Sequence, residues 1–288
     1  MLRFAVLCLR ESRGAVLVIF LLRFLLPSAG GTVPGTARPA LLLGAAAWAS
    51  AVAAVYLYNG VTDVGEDRSN GSVRPVASGL LPLATALRAA GTLAALAVVL
   101  GALVSAKMCL VTAGFLLLGY GYSAPGIALK RTTPGTIAVV IGGGALTYLA
   151  GLLCAGLPLT PAVLAFCTAM CLWMGLVGAI AKDFSDAAGD ARHGRRNWTV
   201  LHGARATALL AAVSAVTIGA GLLVCALSPA GPGLLPPAVV LLGGALALAG
   251  VCPGLRQGGT RAERRLPYRA FMITQYAVHL VVLAHPIS

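Results

Sequence analysis

Long apolar stretches separated by short polar connections dominate this chain, and they decide what it can fold into. Nine segments have the length and character of membrane helices, approximately 12–27, 40–58, 82–104, 108–123, 134–156, 161–181, 205–227, 233–252 and 268–285. A spanning helix needs roughly 20 mainly apolar residues, and the first segment is the weakest because Arg23 falls inside it. Only 10% of the 288 residues are charged, where a soluble domain keeps about a quarter. Most of the surface must therefore meet lipid. The expectation is an all-α polytopic membrane protein of about nine transmembrane helices, forming a single domain over residues 1–288. No cleaved leader is expected, because Arg10, Glu11, Arg13 and Arg23 break the apolar run that one needs.

The formal net charge is +13, yet the basic residues form no single patch, which excludes nucleic acid as a partner. They alternate along the chain instead. The N-terminus carries Arg3, Arg10 and Arg13, and the second connection carries Arg68 and Arg74. Lys130 and Arg131 follow in the fourth, Lys182, Arg192, Arg195 and Arg196 in the sixth, and Arg256, Arg261, Arg264 and Arg265 in the eighth. The odd connections hold only Arg38 and Lys107. The positive-inside rule then places the N-terminus and the even connections in the cytoplasm.

Acids are rare, and their placement is selective. Six of the eight fall in two short clusters, at the ends of the second and sixth apolar segments. In the first, Asn59, Asp63 and Asp67 are spaced i, i+4, i+8. In the second, Asp183, Asp186 and Asp190 are spaced i, i+3, i+7. Both spacings project from one helical face. Like charges stacked in this way repel unless a cation lies between them. Mg²⁺ is the natural counter-ion, because it takes a few carboxylates and completes its octahedron with water and phosphate oxygens. Lys182, Arg192, Arg195 and Arg196 around the second cluster suit a site that holds metal ions and a highly charged anion together. Ionisable groups beside a membrane core are functional candidates by default.

Other conspicuous residues read as structural. The seven cysteines form no CxxC pair and lie mostly in apolar runs, so they are small packing residues. Trp48 and Trp173 are packing residues, Tyr56, Tyr58 and Tyr120 interfacial anchors, and His193 and His202 solvated loop residues. Gly142, Gly143 and Gly144 lie within an apolar segment and do not form a phosphate loop.

Four motifs in order make the chain resemble the UbiA superfamily of intramembrane prenyltransferases. Asn59, Asp63 and Asp67 match its first Asp motif. Arg74, Pro75, Ser78 and Gly79 match the Arg-Pro-x-x-Ser-Gly that follows. Tyr122, Ser123, Pro125, Leu129, Lys130 and Arg131 match a third element, and Lys182, Asp183, Asp186, Gly189, Asp190 and Gly194 the second Asp motif. Two departures stand out. Arg195, Arg196, Asn197 and Trp198 precede Thr199 like a two-residue insertion, and Gly60 stands where many members carry Asp.

The resemblance implies a ring of nine helices around a central cavity, under a cytoplasmic cap. It implies a prenyl diphosphate whose tail lies in the cavity and whose headgroup is bridged by two Mg²⁺ ions to Asp63 and Asp67 on one side and Asp186 and Asp190 on the other. Asn59 and Asp183 would support these ligands. Arg74, Lys130 and Arg131, with Lys182 and Arg192 behind them, would contact the diphosphate, and Tyr122 would face the allylic cation. The expected reaction is prenyl transfer to a small-molecule acceptor, most simply an aromatic one, within membrane lipid. The competing expectations are a membrane terpene cyclase that needs no acceptor, and a transporter or lipid-binding protein without catalysis.

Overall fold

The computed structural model describes residues 2–29, 33–229, 231–252 and 260–287; Arg256 of the eighth connection lies outside them. Every element among them is helical, and no strand occurs. In order these are α1 (Leu2–Glu11), α2 (Gly14–Ala29), α3 (Arg38–Thr62), α4 (Val64–Ser69), α5 (Leu83–Val104), α6 (Ala106–Ser123) and α7 (Thr133–Ala155). Then come α8 (Pro161–Leu172), a π-helical turn (Trp173–Gly178), α9 (Ala179–Arg192), α10 (Trp198–Ala226), α11 (Leu235–Val251), α12 (Arg261–Arg264) and α13 (Leu266–Ala284).

Each of the nine expected apolar segments coincides with a helix, but length and composition qualify only five as membrane spans among the described residues. These are Gly35–Thr62, Leu83–Val104, Thr133–Ala155, Pro161–Ala187 and Trp198–Ala226. The shortfall has a physical reason. α2 and α11 run 16 and 17 residues as described, below the roughly 20 that a full span takes. α6 and α13 are 18 and 19 residues long, but Lys107 dilutes the first, and Arg269, Gln275 and His279 dilute the second.

The chain divides into two compact units. Residues 1–28, 32–129 and 146–157 make up the first, and residues 29–31, 130–145 and 158–288 the second. In the first, the core packs around Trp48 of α3, which stacks on Phe24 of α2 at 6.3 Å and meets Phe115 of α6 at 4.8 Å. The end of α7 joins this core through Ala150 and Cys154. With lipid as solvent, close backbone approach takes over from water exclusion as the packing force. At Gly151 any Cβ would collide with the Phe24 carbonyl, so only glycine lets α7 sit this close to α2.

In the second unit, Trp173 stacks on Phe271 of α13 at 6.0 Å, and Phe166 meets His279 edge-on. Gly219 of α10 would place a Cβ 2.9 Å from the Leu242 Cα of α11, another contact made at backbone range. The π turn continues α8 into α9 with one residue too many per turn, which re-phases the face that α9 presents. Such turns cluster at functional sites, and this one ends four residues before Lys182. Both expected packing tryptophans are fully buried, and all seven cysteines are free thiols.

Candidate active site

The first acid cluster sits where α3 gives way to α4. Asp63 occupies the joint with φ −95° and ψ 6°, yet the helical bonding pattern runs across it. The Asp63 amide donates to the Asn59 carbonyl at 2.9 Å, and the Asp67 amide donates to the Asp63 carbonyl at 2.8 Å. The i, i+4, i+8 relation therefore survives the joint. Asn59 Nδ2 donates both to Asp63 Oδ2 at 2.9 Å and to Ser123 Oγ at 3.1 Å. One amide thereby orients a carboxylate and ties it to the end of α6. Tyr122, half-buried, directly precedes that serine.

Asp67 faces a different partner. Arg74 Nη1 donates to Asp67 Oδ2 at 2.8 Å, and Arg74 Nη2 forms an ion pair with Glu11 Oε1 at 2.7 Å. Nη2 also reaches the carbonyls of Glu11 and Tyr56, and the Val76 amide donates to Glu11 Oε2 at 2.9 Å. Glu11 is 0% exposed and Arg74 9%. Burial and then the charge of Arg13 push the Arg74 guanidinium below its usual value, while Glu11 and Asp67 pull it back. Glu11, an isolated acid in the sequence, is thus a buried member of the first cluster. The loop carrying Arg74 is held by Arg68 Nε, which donates to the Ala77 carbonyl at 3.0 Å. It turns at Gly79, whose φ of +79° is disfavoured for any residue with a Cβ.

The second cluster lies on α9, unbroken from Ala179 to Arg192, so Asp183, Asp186 and Asp190 share a face as expected. Asp190 is 3% exposed and accepts from Asn197 Nδ2 at 2.7 Å, with Arg195 Nε 3.5 Å from its other oxygen. The chain can return to Asp190 because Gly194 turns it with φ +69°. Asp186 Oδ1 accepts from Ser185 Oγ at 3.1 Å. The apparent insertion is therefore the segment that grips Asp190.

The same segment binds the Lys130–Arg131 element. The Arg196 amide donates to the Arg131 carbonyl at 2.7 Å, and the Trp198 amide to Thr133 Oγ1 at 2.6 Å. Lys130 is 5% exposed. Burial, followed by the charges of Arg195, Lys182 and Arg131, pushes its ammonium down to about 7, with Asp190 opposing. Arg131 and Arg192 are exposed, and Lys182 is half-buried. The four sequence motifs thus form two assemblies, the first two with Tyr122 and Ser123 in one unit and Lys130, Arg131 and the second Asp motif in the other. Of the two histidines read as loop residues, His193 follows the end of α9 and donates from Nδ1 to the Gly189 carbonyl at 2.9 Å, and His202 lies within α10 against Trp198.

The carboxylates of both assemblies are hard oxygen donors, the kind that a hard divalent cation prefers. Among the described residues, no three His, Cys, Asp or Glu side chains group into a closed metal cage. Mg²⁺ needs only one or two carboxylates from a protein and takes its remaining oxygens from water and phosphate.

Apolar spanning helices with acid–amide assemblies at their ends define an integral membrane protein built to hold charge beside lipid. The chain belongs to the UbiA prenyltransferase family, whose model matches residues 16–273. A UbiA homolog from Archaeoglobus fulgidus bound to DMAPP and Mg²⁺ shares the fold with a TM-score of 0.73 at 19% identity, covering 95% of this chain and 99% of that one. A UbiA homolog from Aeropyrum pernix K1, in its apo form, gives 0.70 at 18% identity over 92% and 96%. A structure of digeranylgeranylglyceryl phosphate synthase gives 0.68 at 18% identity over 100% and 99%. A search of curated proteins found no match.

Proposed function

We propose that this chain transfers the prenyl group of a prenyl diphosphate to a small-molecule acceptor, with both units serving as one catalytic domain. The observation that carries this reading is the paired construction of the two Asp motifs. In each, an Asn amide orients one carboxylate and an Arg stands against a carboxylate, Asn59 with Arg74 in one unit and Asn197 with Arg195 in the other. Homologs of the same fold solved with DMAPP and Mg²⁺, and with GPP and Mg²⁺, support it.

Asp63, Asp67, Asp186 and Asp190 are the proposed Mg²⁺ ligands, with Asp183 in support. When bound there, Mg²⁺ supplies positive charge that stabilises the departing diphosphate. The chain's own groups do the rest. Asn59 and Asn197 hold Asp63 and Asp190 in place before substrate arrives, so no reorganisation is needed at the moment of reaction. Lys130 and Arg131 contact the diphosphate, supported by Lys182 and Arg192. The arrival of that anion favours the protonated form of Lys130. Arg74 acts on the headgroup through Asp67. Tyr122 offers its ring face to the allylic cation, and the apolar helices take the prenyl tail and exclude the water that would quench the cation. The Lys and Arg asymmetry supports an orientation with the N-terminus and both Asp motifs on the cytoplasmic side. An aromatic acceptor is the proposed partner.

The test is product analysis with purified protein, Mg²⁺ and prenyl diphosphates of increasing length, each with and without aromatic acceptors. Prenylated acceptor is the expected product. A cyclic hydrocarbon or terpene alcohol formed without acceptor identifies a cyclase instead, and binding without turnover identifies a carrier. Asp63→Ala and Asp186→Ala should each abolish Mg²⁺-dependent diphosphate release while the protein stays folded. Full activity in either variant refutes the metal assignment.

A further inference from the structure

Glu11 belongs to α1, an amphipathic helix that lies 48 positions before the first motif in the sequence and carries none of its residues. Its carboxylate is nonetheless completely buried, a costly place for a charge unless it is compensated. The compensation is Arg74, which spends Nη2 on Glu11 and Nη1 on Asp67. The carboxylate fills a space made for it by Gly60 on α3. A Cβ at that position would lie 2.9 Å from Glu11 Cδ and 2.8 Å from Arg74 Nη2. α3 thus leaves out a side chain where α1 inserts one, three residues before Asp63.

We propose that Glu11 is a positioning residue of the metal site, which neutralises Arg74 so that Asp67 remains available to a divalent cation. The proposal rests on Asp67 being a metal ligand. The reasoning is electrostatic. A guanidinium shared between two carboxylates holds each with only part of its charge. Without Glu11, the full charge of Arg74, reinforced by nearby Arg13, falls on Asp67 and competes with the metal for it. Val76 takes part as well, because its amide donates to the second Glu11 oxygen and so fixes the loop that carries Arg74.

The geometry also predicts that the carboxylate can be delivered from the other side of the same space. Aspartate at position 60 collides with Glu11 when Glu11 is present, and can replace it when Glu11 is reduced to alanine. The experiment measures Mn²⁺ binding by EPR, in the presence of inorganic diphosphate, on the full chain in detergent. Melting of the metal-free protein is followed in parallel. The proteins are wild type, E11Q, E11A, G60D, E11A/G60D and D67N. E11Q keeps the shape of the side chain and loses its charge, so it should weaken Mn²⁺ binding about 10-fold, the lower end for residues that orient metal ligands. E11A and G60D should each weaken binding and lower the melting temperature, and the double variant should recover most of both. Wild-type affinity in E11Q, or a double variant no better than E11A, overturns the proposal. D67N that binds as tightly as wild type removes Asp67 from the metal site altogether. Weak D67N beside an unaffected E11Q overturns only the role of Glu11.

Discussion

Lys130 makes the charge economy of this site measurable without substrate. Its ammonium is buried among Arg195, Lys182 and Arg131, which moves it from 10.5 to about 7. Below pH 7 the ammonium is charged in both the folded and the unfolded chain, and the fold bears its full cost. Between 7 and 10.5 the unfolded chain binds a proton that the folded chain does not, so stability rises with pH. Above 10.5 the group is neutral in both and the cost is gone. Each pH unit in that window is worth about 1.4 kcal/mol, which makes the full cost on the order of 4–5 kcal/mol. Lys130→Met removes the charge and keeps most of the volume. In Mg²⁺-free detergent it should therefore melt well above wild type at pH 6, with most of the gap closed by pH 9.5. The same variant should bind prenyl diphosphate poorly, whereas Lys130→Arg keeps a permanent charge for the anion. A Lys130→Met protein no more stable than wild type at pH 6 refutes the argument. So does an equal gain at both pH values, because that gain would come from packing and not from charge.

Two further outcomes follow from the geometry. Asn59→Ala and Asn197→Ala leave every acid in place but release Asp63 and Asp190, so the Mg²⁺ concentration for half-maximal diphosphate release should rise 10- to 100-fold, as for other groups that orient metal ligands. An unchanged Mg²⁺ requirement in either variant shows that its amide is incidental. Gly151→Ala drives a Cβ into the Phe24 carbonyl, an overpacking cost of about 1–3 kcal/mol. It should lower the melting temperature measured by size-exclusion after heating, while Gly91→Ala, with nothing within 4 Å, should not. Equal melting of the two variants contradicts the close packing of α2 on α7.

The sequence made the acids legible because a chain with so few charges cannot hide where it keeps them. Helical spacing was enough to put Asn59, Asp63 and Asp67 on one face, and the backbone bonds across the joint at Asp63 bear that out. The number of spans was less legible. Apolar runs mark helices well, but the 16 and 17 residues described for α2 and α11 do not by themselves make the roughly 20 of a full span. Glu11 was invisible for another reason. It joins Arg74 across 63 residues, and a partner so distant leaves no periodic trace.

Asn197 shows most clearly where local reading stops. Asn59 and Asn197 do the same thing, each donating Nδ2 to an aspartate oxygen. The first does it within a helix at i, i+4, a spacing that carries its own geometry. The second does it backwards over seven residues, through a left-handed turn at Gly194, and its Oδ1 caps the next helix by accepting from the Val200 amide at 2.9 Å. An N-cap asparagine is ordinary in a sequence, and nothing there says that its amide end is spoken for. The two motifs look unequal when read along the chain because one uses helix periodicity and the other a turn. They become alike only in the contacts each makes with its carboxylate. Residues that appear to lengthen a loop in this family should therefore be tested first as grips on the acid they follow.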